Sequence, residues 1–225
     1  MGDGNFAKRV IGGIYSHAAK NLYDPIVVNG AFKLFGGALN DLVLEQGREA
    51  VSTARGRPIL DMPVGTGYFT LEIARRHEGV VVGVDIAEGM VREARLSAIR
   101  EGLDNLVTTR ADAHHLPFPD GAFGAILCSN GLQVIPGLTP TLAELVRVLA
   151  PGGNLYVSVI NAPLGALVPS RSRDRLPTLL RPKGDIARAL TLAGMPYVNF
   201  RHERLAAVYW ATKPAAGQEG SWTRG

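Results

Sequence analysis

Two carboxylates and two glycines in the first half of the chain are spaced to hold a nucleoside. In ILDMPVGTGYFT, residues 59–70, Asp61 closes a short apolar run, and Gly65 and Gly67 let the backbone turn and approach a ligand closely. The following YFTLEIARRH opens a helical pattern whose N-terminus favours an anionic group. Asp85 closes the next apolar run, VVVGVD, twenty positions after Gly65. An acid there can accept hydrogen bonds from both hydroxyls of a ribose. A dinucleotide is disfavoured, because a pyrophosphate turn wants a glycine where Thr70 stands and Pro63 deletes an amide donor.

The elements that must position these residues are legible from Arg57 onward. PILDM, VVVGVD, NLVTTR, AFGAILC and NLYVSVI are β-rich runs bounded by Gly, Pro, Asp or Asn, and they read as strands buried on both faces of a mostly parallel sheet. Helices lie between them. One spans Glu88 to Arg100, with Val91, Ala94 and Ala98 on one side. Another has Thr139 as N-cap, Pro140 in its first turn, a stripe of Leu142, Leu145, Val146 and Leu149, and a stop at Pro151-Gly152-Gly153. KGDIARALTLAGM supplies a later helix, with Asp185 near its start and Gly194 as its stop. YVNFRHERLAAVYWATKP then offers two strand-like runs with no room for a helix between them, which predicts a terminal antiparallel hairpin. The expected fold is α/β, a doubly wound, mostly parallel sheet of seven strands closed by that hairpin.

Three regions follow: a helical segment over residues 1–56 that covers the ligand-binding edge or packs beside it, a core over 57–213, and a disordered tail over 214–225. With 225 residues, 46% hydrophobic and 20% charged, the chain suits one well-cored soluble domain. No apolar run approaches the roughly 18 residues of a membrane span, and no secretory signal is evident. The single Cys128 excludes an intramolecular disulfide and agrees with a cytoplasmic setting. A net charge of +4 is modest, and its excess is local: Arg171 to Arg204 holds eight Lys or Arg.

ILDMPVGTGYFT, VVGVDIAEGMVREAR, ADAHHLPFPDGAFGAILCSN and ELVRVLAPGGNLYVSV together resemble, in order and interval, the motifs of class I S-adenosylmethionine-dependent methyltransferases, over about residues 57–160. Within that class the chain is most similar to the small-molecule branch that includes the ubiquinone and menaquinone biosynthesis methyltransferases. The resemblance implies a Rossmann-like methyltransferase fold and S-adenosylmethionine as cofactor, with S-adenosylhomocysteine as product. It implies that Asp61 and the turn Pro63, Val64, Gly65, Thr66 and Gly67 hold the methionine end and Asp85 the ribose. Ile86 and Met90 would pack on the adenine, Asp112 take its amino group and the Ala113 amide a ring nitrogen. Ser129 and Asn130 would face the methionine portion. Pro63 and Val64 depart from the family, which usually has glycine and a small residue there. A proline keeps its carbonyl for the cofactor's ammonium group, so the turn remains compatible with the ligand.

A sulfonium is already an activated methyl donor, so the protein chiefly has to align donor and acceptor in a dry site. No catalytic residue is named by the sequence; Tyr15, His17 and Gln133 are the candidates for orienting the acceptor or acting as base. No metal is expected. Ser129-Asn130-Gly131-Leu132 stands where nucleic-acid and protein amino-methylating relatives carry a Pro-Pro-aromatic motif, and Cys128 reads as a buried strand residue rather than a nucleophile. The expected partner is a small, moderately hydrophobic acceptor. An RNA methyltransferase, or a protein that binds the cofactor without transferring methyl, are the alternatives. Oligomeric state is not legible.

Overall fold

The computed structural model describes residues 37–132, 135–160, 183–203 and 206–215. The expected lid up to residue 36, the basic stretch from Arg171 to Arg181, most of the expected tail, and Tyr15, His17 and Gln133 lie outside the described residues.

Seven strands form one sheet: β1 (Ile59–Asp61), β2 (Val81–Asp85), β3 (Leu106–Arg110), β4 (Phe123–Ser129), β5 (Leu149–Ile160), β6 (Val198–Glu203) and β7 (Ala206–Thr212), in the order β3-β2-β1-β4-β5-β7-β6. β3, β2, β1, β4 and β5 are parallel neighbours, while β7 pairs antiparallel with both β5 and β6. The doubly wound sheet and its closing hairpin are as the strand runs predict. β1 and β4 are buried along nearly their whole length, which is why they read as continuous apolar runs rather than alternating ones.

Successive residues point to opposite faces, and the two faces are covered by different helices. Ile59, Ala125, Leu127 and Tyr156 face a layer that includes Ala50 and Ala54 of α1 (Gly37–Ala54), Leu71, Ile73 and Ala74 of α2 (Tyr68–Arg76) and Ala98 of α3 (Glu88–Arg100). Leu60, Ile126 and Val157 face Leu142, Leu145 and Val146 of α4 (Leu138–Val148) and Ile186, Ala189 and Leu190 of α5 (Lys183–Leu192). From Leu42 onward α1 belongs to the same compact unit as the sheet. Its buried Gln46 donates Nε2 to the Tyr209 carbonyl at 3.2 Å.

Two boundaries differ from the sequence expectation. α4 begins at Leu138 with Gly137 as its cap, at φ 75°, so Thr139 lies inside the helix. A glycine takes that left-handed conformation without steric cost, and the Thr141 hydroxyl donates to its carbonyl at 2.9 Å. The helix also stops earlier than Pro151, because Leu149 turns extended to pair with Phe123. Pro151-Gly152-Gly153 falls inside β5, where the register against β4 shifts. The Lys213 ammonium takes over the helix end, donating to the carbonyls of Val146 and Leu149 at 2.7 and 2.8 Å.

Candidate functional site

β1 and β4 are adjacent although β2 and β3 intervene in sequence, so the connections leave the sheet on opposite faces between them. A crevice opens beyond the carboxyl ends of strands at such a switch point. Asp61, Asp85 and Ser129 end β1, β2 and β4 there.

The turn after β1 is held by the sheet itself. The Met62 amide donates to Leu127 O at 3.0 Å, Val64 to Val84 O at 2.7 Å, and Gly67 to Val64 O at 3.0 Å. Met62–Pro63 is a cis peptide. Gly65 and Gly67 have φ of 53° and 86°, left-handed values that favour glycine. A Cβ on Gly67 would also lie 3.2 Å from Ala94 Cβ, so this glycine allows α2 to start close against α3. The first-turn amides of α2 have no partners within the helix, and Gly67 at its start has no side-chain cap.

Asp61 is 3% exposed. Its Oδ2 accepts from the Thr70 hydroxyl, and its Oδ1 is buried with no hydrogen-bond partner. Burial pushes this carboxyl up to about 7; the Thr70 bond opposes the rise, and the nearby Asp85 charge adds to it. A buried carboxylate with one empty oxygen is suited to a cationic donor.

Asp85 ties the second strand to the turn. Its Oδ2 accepts from the Gly65 amide at 3.1 Å and its Oδ1 from the Ala87 amide at 2.9 Å. Each carboxylate oxygen has a second lone-pair direction, so the pair can still receive two hydroxyls. The Asp85 carbonyl accepts from Ala111 at 3.1 Å, which carries the strand end on to Asp112 and Ala113. Ile86 is 60% exposed beside them, Met90 is half-buried and Ala113 is buried. Asp112 Oδ1 accepts from the His114 amide at 2.9 Å.

Beyond β4, Asn130 takes a left-handed φ of 56° while its amide donates to Ser158 O at 2.8 Å. Its side-chain Oδ1 is buried without a partner. Gly131 lies against the proline of the first turn: a Cβ there would sit 2.1 Å from Pro63 Cδ. Cys128 is fully buried, and burial, with a smaller contribution from Asp61, pushes its thiol up to about 12. It is a core side chain, not a nucleophile.

Residues 59–153 match the family model of a methyltransferase domain. Over these residues the chain is similar to methyltransferase domains. The chain is 35% identical to a ubiquinone/menaquinone biosynthesis C-methyltransferase, UbiE, of Saccharophagus degradans over 165 residues, which are 72% of this chain and 64% of that protein. It is 45% identical to a demethylmenaquinone methyltransferase of Thermus thermophilus over 100 residues, 44% of this chain and 45% of that one. The chain thus spans 64% of the length of the first curated relatives it matches. Among solved structures, the cyclase SpnF superposes with a TM-score of 0.68 at 21% identity over 78% of this chain and 82% of its own, a likeness of fold alone.

The residues at these strand ends fit S-adenosylmethionine, the cofactor that the resemblance implies. Two buried oxygens, Asp61 Oδ1 and Asn130 Oδ1, lack donors at the strand ends, and an amino-acid ammonium group brings three. Exposed Ile86 offers an apolar face to a flat ring. Two contributors went unread in the sequence. Thr70, which in the sequence stands only where a dinucleotide turn would have glycine, bonds Asp61 from the first turn of α2. Gly131 makes room for Pro63, and nothing local marks it.

Proposed function

We propose that this chain binds S-adenosylmethionine across the ends of β1, β2 and β4 and transfers its methyl group to a small, moderately hydrophobic acceptor. The observation that carries this reading is the pairing of Asp85, bonded to the Gly65 amide at the cofactor turn, with the partnerless Oδ1 of buried Asp61. Asp61 and the turn from Pro63 to Gly67 take the amino-acid end, Asp85 the ribose diol, and Ile86, Met90, Asp112 and Ala113 the adenine. Asn130 and Ser129 border the methionine portion on the β4 side. When bound, the cofactor supplies a methyl carbon on a positive sulfur; the acceptor's electron pair forms the new bond and the carbon–sulfur pair returns to sulfur. The protein's share is alignment and exclusion of water, which is where most of the available acceleration lies.

Acceptor choice is supported by the relatives' names, which are those of quinone-biosynthesis methyltransferases. We assign the segment that precedes α1 to a lid over this site, take Tyr15 and His17 within it and Gln133 after β4 as groups that orient the acceptor, and place the activity in the cytoplasm. No described helix is long and apolar enough to cross a membrane. Calorimetry with S-adenosylmethionine, S-adenosylhomocysteine and NAD tests the cofactor, and methyl-labelled donor with a panel of apolar, polar and RNA acceptors tests the transfer. Binding of the two adenosyl ligands but not NAD, with label appearing on apolar acceptors, is the expected result. Binding with no transfer to any class would make the chain a cofactor-binding module.

A further inference from the structure

The segment between β3 and β4 carries Asp112 and Ala113, and its Leu116, Phe118 and Asp120 are gripped by two side chains of α4. Glu144 Oε1 accepts from the Leu116 amide at 2.7 Å. Arg147 spends all five of its N–H donors in the same place: Nε and one Nη2 hydrogen reach the two Glu144 oxygens at 2.8 Å each, Nη1 reaches Phe118 O at 2.9 Å and Asp120 Oδ1 at 2.7 Å, and Nη2 reaches Leu116 O at 3.1 Å. Two backbone carbonyls, one backbone amide and one side chain of an irregular segment are therefore fixed from a single turn of α4, Glu144 to Arg147. On the other side, His114 Nε2 bonds Pro136 O at 2.8 Å, tying Asp112 and Ala113 to the residues that follow β4.

The charges are partly withdrawn from solvent, with side-chain exposures of 14% for Glu144 and 33% for Arg147. Bidentate geometry of this kind fixes orientation as well as distance. Nothing in the segment's own secondary structure would do so, since between Arg110 and Phe123 it holds only an isolated bridge, Asp112 to His115.

We propose that Arg147 and Glu144 are positioning residues for the adenine end of the cofactor, holding residues 116–120 so that Asp112 and the Ala113 amide stand where the ring must be met. This rests on the cofactor reading given above. The two side chains touch no ligand; they act through the segment they grip. An adenine-side latch weakens every ligand that carries adenine, whether or not it carries the amino-acid end. A mere strut lowers stability and leaves affinity alone.

The test measures calorimetric Kd for S-adenosylhomocysteine and for methylthioadenosine, which lacks the amino-acid end, alongside Tm, in the wild type, Arg147→Met, Glu144→Gln and Asp61→Asn. Arg147→Met and Glu144→Gln are expected to weaken both ligands by the same factor, about 10-fold to 100-fold, and to raise KM for S-adenosylmethionine while kcat changes little. Asp61→Asn should weaken S-adenosylhomocysteine only. If Arg147→Met does not fold, Arg147→Lys, which keeps the charge but has three donors for five acceptors, is expected to give a smaller loss shared equally by the two ligands. Unchanged affinity in a folded variant with lowered Tm, or a loss confined to S-adenosylhomocysteine, overturns the proposal. A wild type that binds neither ligand removes it together with the reading it rests on.

Discussion

The Thr70 hydroxyl donates to Oδ2 of Asp61 across the turn that joins β1 to α2, and leaves Oδ1 of that carboxyl buried without a partner. Thr70→Val would strip the buried group of its one partner. The expected loss is about 1–3 kcal/mol of stability, measured by urea unfolding, together with weaker binding of S-adenosylhomocysteine. Thr70→Ser keeps the hydroxyl and should recover most of both.

Asp61 also gives a pH dependence whose sign is fixed by burial. Its native value is raised from 3.8 to about 7, so between those limits the native state keeps a proton that the unfolded chain has released. Stability attributable to this group is therefore full below 3.8, falls as pH rises to about 7, and is flat above it. Subtracting the Tm of Asp61→Asn from that of the wild type at successive pH values isolates the slope; a flat difference would refute it. A ligand ammonium prefers the ionised form, so affinity for S-adenosylhomocysteine should rise across the same window. Calorimetry in two buffers of different ionisation enthalpy should then detect proton release.

Gly131 and Pro63 form a second coupled pair. Because a Cβ at 131 would stand 2.1 Å from Pro63 Cδ and 3.1 Å from Cys128 Sγ, Gly131→Ala must displace the turn or the end of β4. A cost of about 1–3 kcal/mol is expected from such overpacking. Pro63→Gly in the same chain removes the nearest obstruction, and a double-mutant cycle should show the two changes to be less than additive.

Asp85 joins Gly65 and Ala87 through one carboxylate. Asp85→Ala leaves both amides without that acceptor and removes the group assigned to the ribose, so affinity for S-adenosylhomocysteine should fall by at least about 10-fold, since each hydrogen bond to a charged group contributes about 1.5–3 kcal/mol. Asp85→Asn, which keeps one oxygen, should lose less.

Cys128 should resist iodoacetamide in the native protein at pH 8 and react once the chain is unfolded in denaturant, because burial holds its thiol at about 12. Cys128→Ser should bind cofactor and transfer methyl. Rapid native labelling, or loss of transfer in that variant, would reopen a nucleophilic role.

What the sequence determined by itself was the architecture and the strand ends. Strands buried on both faces must be written as unbroken apolar runs, and helices that cover them need a stripe at helical spacing, so VVVGVD and Leu142-Leu145-Val146 declare themselves locally. Asp61, Gly65, Gly67 and Asp85 were legible for the same reason, since a tight turn and a strand-closing acid are short-range patterns. Tertiary structure decided the rest. Gly137 rather than Thr139 caps α4, and Leu149 leaves the helix because Phe123 offers it a strand partner. Thr70 acquires its role only when α2 folds back over Asp61, Gly131 only when β4 ends beside Pro63, and Arg147 only when the segment after β3 crosses α4. Each is a contact between residues distant in sequence or on different elements, and no local pattern of residue types can encode a distance that the fold has yet to set.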